Sequence, residues 1–350
     1  MTLDDFDGLL AWGPLDDWIA ANDLPGSGKV VAAEFLTGGS QNNVFKVTRA
    51  DGGTFVLRRP PKHLRKNSND TMLREARVLA ALRGSQVPHP EFFAVCDDLD
   101  VIGVNFYCMG LIDGFVPMGD LPPRWAADDF RLRLGPAMVE AAAALGAVDA
   151  YAQGLGDFGK ADDWLGRQVS RWRSQLDGYS ELPNYPGPGL DGVDRVGDWL
   201  AANLPSTCHI GIIHGDYQFA NVMMAPDRPQ VAAVIDWELS TLGDPLLDLG
   251  WMLTNWGEDH DPPGRLGQLN PWNGMQSRAE LIAYYGELSG RDLRDMPWFF
   301  VLACYKLGIL LEGTHARACA GQAPEGLGQI MHQMTTWLFA KANQEIDRFG

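Results

Sequence analysis

The chain has 350 residues, 46% of them hydrophobic, and carries 28 lysines and arginines against 45 aspartates and glutamates, a formal net charge of −17. This acidic balance argues against a nucleic-acid backbone or an anionic membrane surface as the main partner, because both would repel the protein. The length and the apolar fraction argue against a largely disordered chain and predict two domains or one two-lobed unit.

Cysteines and the first residues predict where the protein resides. Five cysteines lie scattered at positions 96, 108, 208, 304 and 319, and no two form a CxxC pair, so neither a disulfide framework nor a zinc site of paired cysteines is indicated. The opening residues, MTLDDFDGLL, are acidic where a signal peptide would be basic, and the apolar run FVLACYKLGILL is short and contains Lys306. These features predict a soluble cytoplasmic protein without a membrane partner.

The first third of the chain predicts a small sheet with helices. Apolar positions between residues 3 and 23 follow helical spacing and stop at Pro25-Gly26, which predicts an N-terminal helix and a turn. Three strand-like runs follow between Val30 and Leu57, then a helix at 70–83 and two strands at 92–96 and 101–109. An antiparallel five-stranded sheet plus a helix is therefore expected up to about residue 108.

Beyond residue 109 the pattern is mainly helical, with helices predicted at 134–153, 161–177, 191–203, 277–289 and 296–320. Two glycine-rich strings do not predict nucleotide-binding loops. GSGKV at 26–30 lacks the spacing of a P-loop, and GLGDFG at 154–159 follows a helical run rather than a strand. The predicted fold class is α+β.

Two apolar runs in the second half lead into side chains with hard oxygen ligands. Residues 212–224 read IIHGDYQFANVMM, in which Asp216 and Asn221 lie five apart on a loop, and the strand VAAVI delivers Asp236 to its end. Carboxylate and amide oxygens are ligands suited to Mg²⁺. Phosphoryl transfer needs such a metal ion and a hydroxyl aimed in line at the phosphorus.

The strings HGD at 214–216 with Asn221, and IDWE at 235–238, resemble the HGDxxxxN and IDWE motifs of the aminoglycoside phosphotransferase and choline kinase-like family. The downstream strings GDP at 243–245 and DL at 248–249 are similar to its branch associated with acyl-CoA dehydrogenases. The resemblance covers residues 30–320 approximately. It implies a protein-kinase-like two-lobed fold, with a nucleotide-binding lobe at 1–108 and a catalytic and substrate-binding lobe at 109–350.

The resemblance also implies roles for these residues. Asp216 would act as catalytic base, and Asn221 and Asp236 would coordinate Mg²⁺. His214 would brace the loop that carries Asp216, and Asp248 would order that loop through hydrogen bonds. Three roles stay open for Glu238, which could touch a second metal ion, meet a cationic substrate or form a local salt bridge.

The N-terminal half would supply the nucleotide contacts that the resemblance implies. A phosphate-covering loop is expected at Gly38, Gly39, Ser40 and Asn42. On the third strand, Arg58 is the expected phosphate-binding cation, paired with Glu75 of the following helix. The main chain of Gly110 and Ile112 is the expected hinge that binds adenine. Arg58 stands where protein kinases have lysine, and Arg59 or Lys62 could share its role. ATP is the expected donor, although recognition by the main chain leaves GTP open.

These motifs predict an ATP-dependent phosphotransferase that moves the γ-phosphate to a hydroxyl of a small molecule: aminoglycoside-like, an amino alcohol, a sugar or a hydroxyacyl metabolite. Trp172 could contact that acceptor. Because Arg58 replaces the strand lysine, a pseudoenzyme that binds nucleotide without transfer is one alternative. The other, a metal-dependent hydrolase with His209, His214, Asp216 and Asp236 as ligands, is disfavoured because the chain has no closely spaced histidine pair.

Overall fold

The structure, a computed structural model, describes residues 4, 6–36, 42–257 and 269–349. Two compact units divide the chain, one formed by Met1–Val116 and Asn221–Ser240 and the other by Pro117–Ala220 and Thr241–Gly350. The predicted lobe boundary at residues 108 and 109 lies near the first division, but residues 221–240 belong with the first unit. The division of labour between a nucleotide-binding and a catalytic lobe stays a prediction.

The secondary structure has short strands in both units and long helices mainly in the second. The strands are β1 (Val30–Phe35), β2 (Asn43–Arg49), β3 (Thr54–Arg59), β4 (Phe92–Cys96), β5 (Phe106–Met109), β6 (Gly119–Asp120), β7 (Gly211–Ile213), β8 (Val222–Met224), β9 (Val231–Val234), β10 (Thr241–Gly243) and β11 (Leu269–Asn270). The helices are α1 (Trp12–Ala21), α2 (Ser68–Ala81), α3 (Leu99–Ile102), α4 (Pro123–Ala126), α5 (Asp128–Arg131), α6 (Leu134–Gly146), α7 (Trp164–Gly178), α8 (Val193–Ala202), α9 (Leu246–Thr254), α10 (Arg278–Ser289), α11 (Met296–Cys319) and α12 (Glu325–Phe349).

Strands β1 to β5 form one antiparallel sheet in the order β1-β2-β3-β5-β4, which confirms the predicted five-stranded sheet. Alternation along β2 buries Phe45 and Val47 on one face. On that face they join Leu15 and Ile19 of α1 in one hydrophobic core. The N-terminal helix therefore covers one side of the sheet.

Strand β3 is central and positions the predicted strand cation. Leu57 belongs to the core beneath α1, so its neighbour Arg58 points to the opposite face. Helix α2 packs on that face against β4 and β5. The period of two along β3 thereby directs Arg58 towards α2 and its buried Glu75.

The predicted fifth strand was too long at its beginning. Residues 99–102 form the short helix α3 instead, because the Asp98 side chain accepts a hydrogen bond from the Asp100 N–H and caps it. The helix ends at Gly103, whose φ of +79° suits glycine, and β5 begins only at Phe106.

The second unit is mainly helical and is organised around α11, which packs against α7, α8, α9 and α12. By length and composition α11 is the single helix in the described segments that could cross a membrane, but 78% of its most apolar window is buried inside the protein, as in the core helix of a globular unit. Four of the five predicted helices match within a few residues, and the one predicted at 134–153 ends early, at Gly146.

Candidate active site

The first unit contains a buried ion-pair cluster around Arg58. Its Nη2 donates to Oδ1 of Asp236 at 2.6 Å, and its Nε lies 3.0 Å from Oε2 of Glu75. The Tyr107 hydroxyl donates to the same Glu75 oxygen at 2.9 Å. Arg58 therefore joins the strand, helix α2 and the end of β9 through one guanidinium.

Burial and charge act in opposite directions on this cluster. Burial raises the pKa of Glu75 to about 7, although Arg58 opposes the rise. Burial also works to lower the pKa of Arg58, but Glu75, Tyr107 and Asp236 together raise it above its ordinary value, so the guanidinium keeps its charge. The cation is thus held between two carboxylates, one fully buried and one, Asp236, with 34% of its side chain exposed.

Asn221 and Asp236 lie at the open end of one β-hairpin. Strands β8 and β9 pair antiparallel, with Val222 opposite Val234, and the Ile235 N–H donates to the Asn221 carbonyl at 2.9 Å. Asp236 follows directly with a φ of +65°. The hairpin therefore brings the two predicted metal ligands to the same end. A carboxylate oxygen of Asp236 also lies within 4.8 Å of one from Glu75 and one from Glu238, an arrangement of hard oxygen donors that suits a divalent cation.

Of the predicted phosphate-covering loop, only Asn42 falls within the described residues; Gly38, Gly39 and Ser40 lie outside them. The Asn42 amide donates to Oε2 of Glu238 at 3.4 Å. Both residues line a cavity of about 270 Å³ that Arg65 and Lys66 also border. Two cationic side chains therefore stand beside the acidic cluster, in a cavity of the first unit alone.

The side chains of the alternative cations Arg59 and Lys62 bind main-chain carbonyls. Arg59 donates to the main-chain carbonyls of Pro60 and Leu9, and Lys62 donates to that of Asp7. Arg58 is thus the cation of this strand that meets the carboxylates.

The predicted hinge follows β5. The Gly110 N–H already donates to the Glu91 carbonyl at 2.7 Å, so only the Gly110 carbonyl remains for a purine. No hydrogen bond within the described segments uses the Ile112 N–H. Gly114 then passes close to β8, where a Cβ would lie 2.9 Å from the Met224 carbonyl oxygen. One acceptor and one donor are therefore available along this hinge.

In the second unit, Asp248 holds the loop that precedes Asp216. Its two oxygens accept hydrogen bonds from the N–H groups of His214 at 2.6 Å and Gly215 at 2.9 Å. Gly215 has a φ of +85°, a conformation that glycine adopts without strain. Burial raises the pKa of Asp248 to about 6, against the effect of these two donors. The hydrogen bonds expected of Asp248 are therefore present, and His214 is fully buried beneath the loop.

Two side chains orient the Asp216 carboxylate. Its Oδ1 accepts from the indole Nε1 of Trp251 at 2.9 Å and from Nε2 of Gln218 at 2.7 Å. Because both donors meet one oxygen, they fix the plane in which the carboxylate lies.

Lys306 is a functional candidate that sequence patterns did not reveal. Its Nζ donates to the Gly215 carbonyl at 3.1 Å and lies 4.6 Å from the ring centre of Trp251. Burial lowers its pKa to about 8, and Asp248 and Asp216 oppose the shift. A buried cation therefore supports the loop of Asp216 from α11. The only trace in the sequence is a lysine inside an apolar helix.

Trp172 also belongs to this interior. The side chain is buried, and its ring centre lies 5.6 Å from Lys306 Nζ. It packs against the supporting lysine, which accounts for its position without a substrate contact.

The arrangement of the histidines does not favour a hydrolase centre. His209 is exposed, while His214 is buried and accepts a hydrogen bond from the Asp216 N–H through Nδ1. Neither histidine belongs to a cluster of metal-binding side chains in the parts of the chain that the structure describes.

Comparison with known proteins places the site in a family. Residues 32–283 match the phosphotransferase enzyme family. A crystal structure of a candidate aminoglycoside phosphotransferase from Ralstonia eutropha superposes with a TM-score of 0.79 at 28% identity, covering 95% of this chain and 98% of that one. The GDP complex of aminoglycoside 2′-phosphotransferase-IIIa shares the fold, with a TM-score of 0.64, 15% identity, and 89% and 94% of the two chains covered.

Among curated proteins, acyl-CoA dehydrogenase family member 10 from Mus musculus is 29% identical over 302 residues, covering 85% of this chain and 27% of that protein. Member 11 from Gallus gallus is 30% identical over 295 residues, covering 81% and 36%. The chain spans about a third of the length of the curated relatives it matches. The predicted resemblance and the protein-kinase-like fold are confirmed, and the chain belongs to the phosphotransferase enzyme family.

Proposed function

We propose that the chain transfers the γ-phosphate of ATP to a hydroxyl of a small molecule. The observation that carries the proposal is the guanidinium of Arg58 held between Glu75 of α2 and Asp236. A strand cation paired with a helix glutamate beside a metal-binding aspartate is the arrangement that phosphoryl transfer requires of a kinase fold.

Asp216 is the proposed catalytic base. Trp251 and Gln218 bind one of its oxygens and hold the carboxylate in a fixed plane. A carboxylate held in this way can accept the proton of an attacking hydroxyl, or orient that hydroxyl, without first reorganising.

Asn221 and Asp236 are the proposed ligands of Mg²⁺, and their place at one end of a hairpin supports the assignment. The bond from Arg58 uses Oδ1 of Asp236, so the carboxylate has a second oxygen for a metal ion. When bound, Mg²⁺ would neutralise charge that develops on the phosphates. Glu238, within 4.8 Å of the Asp236 carboxylate, is a candidate for a second ion.

Arg58 would bind the nucleotide phosphates in place of the usual lysine. A guanidinium offers parallel donors, so it can contact a phosphate oxygen while it keeps its bond to Glu75. The Gly110 carbonyl and the Ile112 N–H would bind the adenine edge, since the Gly110 N–H is already used by Glu91. Asn42 would act with Gly38, Gly39 and Ser40 at the phosphates.

We favour a hydroxyacyl compound as the acceptor. The relatives that support this choice are named as acyl-CoA dehydrogenase family members and contain the matched segment within a chain about three times longer. Phosphorylation would convert the hydroxyl of a hydroxyacyl chain, a poor leaving group, into a phosphate ester, whose phosphate is a good leaving group. Such a product would suit a partner enzyme that acts on acyl chains.

The test is transfer from [γ-³²P]ATP with Mg²⁺ to a panel of hydroxyacyl thioesters, free hydroxy acids, aminoglycosides, amino alcohols and sugars. The expected result is a labelled hydroxyacyl product with stoichiometric ADP. Asp216→Asn should lower the label by about 10²–10⁴-fold, and Asp227→Asn, which changes an exposed aspartate, should leave it unchanged. Nucleotide binding without transfer to any panel member would favour a pseudoenzyme and contradict the proposal.

A cytoplasmic location also remains a proposal, supported by five cysteines that are all free. Fractionation of cells that express the tagged chain would test it.

A further inference from the structure

A second cluster of titratable side chains lies where α11 and α12 meet, and the proposed phosphotransferase does not use it. It consists of Glu312 and His315 near the end of α11 and His332 on α12. One ligand atom from each of these three lies within 4.8 Å of the others. We propose that Glu312, His315 and His332 bind a divalent transition-metal cation of the zinc class.

The Glu312 carboxylate is fully buried, which makes this cluster unlike a solvated acidic patch. Its Oε1 accepts from the Tyr185 hydroxyl at 2.8 Å, and its Oε2 lies 2.9 Å from Nδ1 of His332. No arginine or lysine in the described ranges forms an ion pair with it. A buried carboxylate is stabilised by a compensating charge, and a metal ion held with His332 would supply it.

His315 has a nitrogen without a partner. Its Nδ1 is buried and makes no hydrogen bond with any described residue, whereas its Nε2 lies 3.7 Å from Cys319 Sγ. The ring centre lies 4.6 Å from that of His332, with the two rings tilted by 32°. Buried polar atoms in native proteins are almost always paired, so an unpaired imidazole nitrogen in a ligand cluster indicates a missing partner. A bound cation would give Nδ1 the partner it lacks.

The separation between Glu312 and His332 is compatible with tetrahedral coordination of one ion. Bonds of about 2.0–2.1 Å from zinc to nitrogen and oxygen place neighbouring ligand atoms roughly 3.3 Å apart. The 2.9 Å separation between Glu312 Oε2 and His332 Nδ1 is close to this value. The ligand atom of His315 lies within 4.8 Å of the other two, so small side-chain rotations would bring it to the same ion. Two histidines and a carboxylate, with the fourth position open to water, form a ligand set that zinc accepts.

The packing of the two helices and the solvent access to the cluster are also compatible with a bound cation. A Cβ on Gly328 would lie 2.4 Å from the Ala318 Cβ, so glycine allows α12 to cross α11 closely at this point. The His332 side chain is 33% exposed, which gives an ion a route to the cluster. When Nδ1 of His332 binds the cation, any proton on that nitrogen moves to Nε2 or is released.

The experiment titrates ZnCl₂ into the full chain, freed of metal by chelation, in the presence of excess Mg²⁺. Magnesium occupies sites made of hard oxygen ligands, including the proposed catalytic one, so the remaining zinc binding reports the cluster with histidines. One equivalent of zinc should bind by calorimetry and raise the melting temperature. Substitution by Co²⁺ should give the visible absorption of a four-coordinate ion.

His315→Gln and His332→Gln should each weaken zinc binding by more than about tenfold, since loss of residues that only support a ligand already costs roughly 10–100-fold. His209→Gln, an exposed histidine of the same unit, is the matched control and should keep the wild-type affinity. Unchanged stoichiometry and affinity in both ligand variants would overturn the proposal.

Protection of the wild-type chain provides a measurement that does not depend on variants. Zinc should shield His315 and His332 from diethyl pyrocarbonate, while His209 stays reactive. If zinc left the reactivity of His315 and His332 unchanged, as it should leave that of His209, the proposal would be overturned. Phosphotransfer with Mg²⁺ alone is a separate assay, so either proposal can fail without the other.

Discussion

Replacing Arg58 with methionine should change the pH dependence of stability in a defined way. In the wild type, burial raises the pKa of Glu75 from 4.5 to about 7. The folded state therefore holds a proton that the unfolded state releases between these values, and stability falls as pH rises through that window. At 1.36 kcal/mol for each pKa unit, the ionised, buried Glu75 costs about 3 kcal/mol above pH 7. Above pH 7 this contribution is constant.

Without Arg58, the charge that opposes the rise disappears and the pKa of Glu75 moves above 7. The stability of Arg58→Met should then keep falling above pH 7, by up to about 1.4 kcal/mol for each pH unit relative to the wild type. Urea unfolding followed by tryptophan fluorescence between about pH 6 and pH 9 measures this difference.

Two controls isolate the carboxyl group. The double variant Arg58→Met/Glu75→Gln should lose the additional slope, because the amide does not titrate. Arg228→Met, at an exposed arginine 3.9 Å from Asp227, should follow the wild type at every pH. The reasoning would be refuted if the unfolding free energies of the wild type and Arg58→Met ran parallel above pH 7. It would also be refuted if the additional fall with pH persisted in the double variant.

Three further predictions concern the second unit. Asp216→Asn should lower transfer by about 10²–10⁴-fold while thermal shifts still report nucleotide binding; retained transfer contradicts its role. In Asp248→Asn, the side-chain NH₂ would face one of the two N–H groups, of His214 and Gly215, that the carboxylate now binds. The loop of Asp216 would lose that support, so kcat should fall while nucleotide affinity stays unchanged. A wild-type kcat would exclude a positioning role for Asp248. Arg291→Met leaves fully buried Asp244 without its bidentate partner and should cost about 3–5 kcal/mol in urea unfolding. A cost no larger than that of Arg294→Met, at an exposed pair, would contradict this estimate.

The sheet and the motif residues could be predicted because their signals are local. Alternation along β2 and the glycine turns predict the strands, and the strings HGD and IDWE bring Asp216 and Asp236 to strand ends. The helices that were not predicted have weaker signals. Every residue of α9 is buried, so its sequence has no polar face to reveal a helical period, and Gly326 and Gly328 lower the helical propensity at the start of α12.

The support of Asp216 could not be predicted in the same way. Trp251 is 35 residues from Asp216, and Lys306 is 91 residues from Gly215, so both contacts depend on how α9 and α11 pack. The use of the Gly110 N–H by Glu91 is equally invisible, since main-chain hydrogen bonds leave no mark on side-chain identity. Long-range packing therefore decides the finer geometry of this site.

The arginine on β3 has a chemical consequence for labelling. An amine of lowered pKa can be acylated by an electrophile attached to a nucleotide, whereas a guanidinium remains protonated and is a poor nucleophile. Strand β3 reads TFVLRR and contains no lysine at all. Amine-directed nucleotide probes should therefore fail to tag this strand, and an amine that they label in the first unit would have to lie elsewhere, as Lys66 does at the cavity beside Glu238.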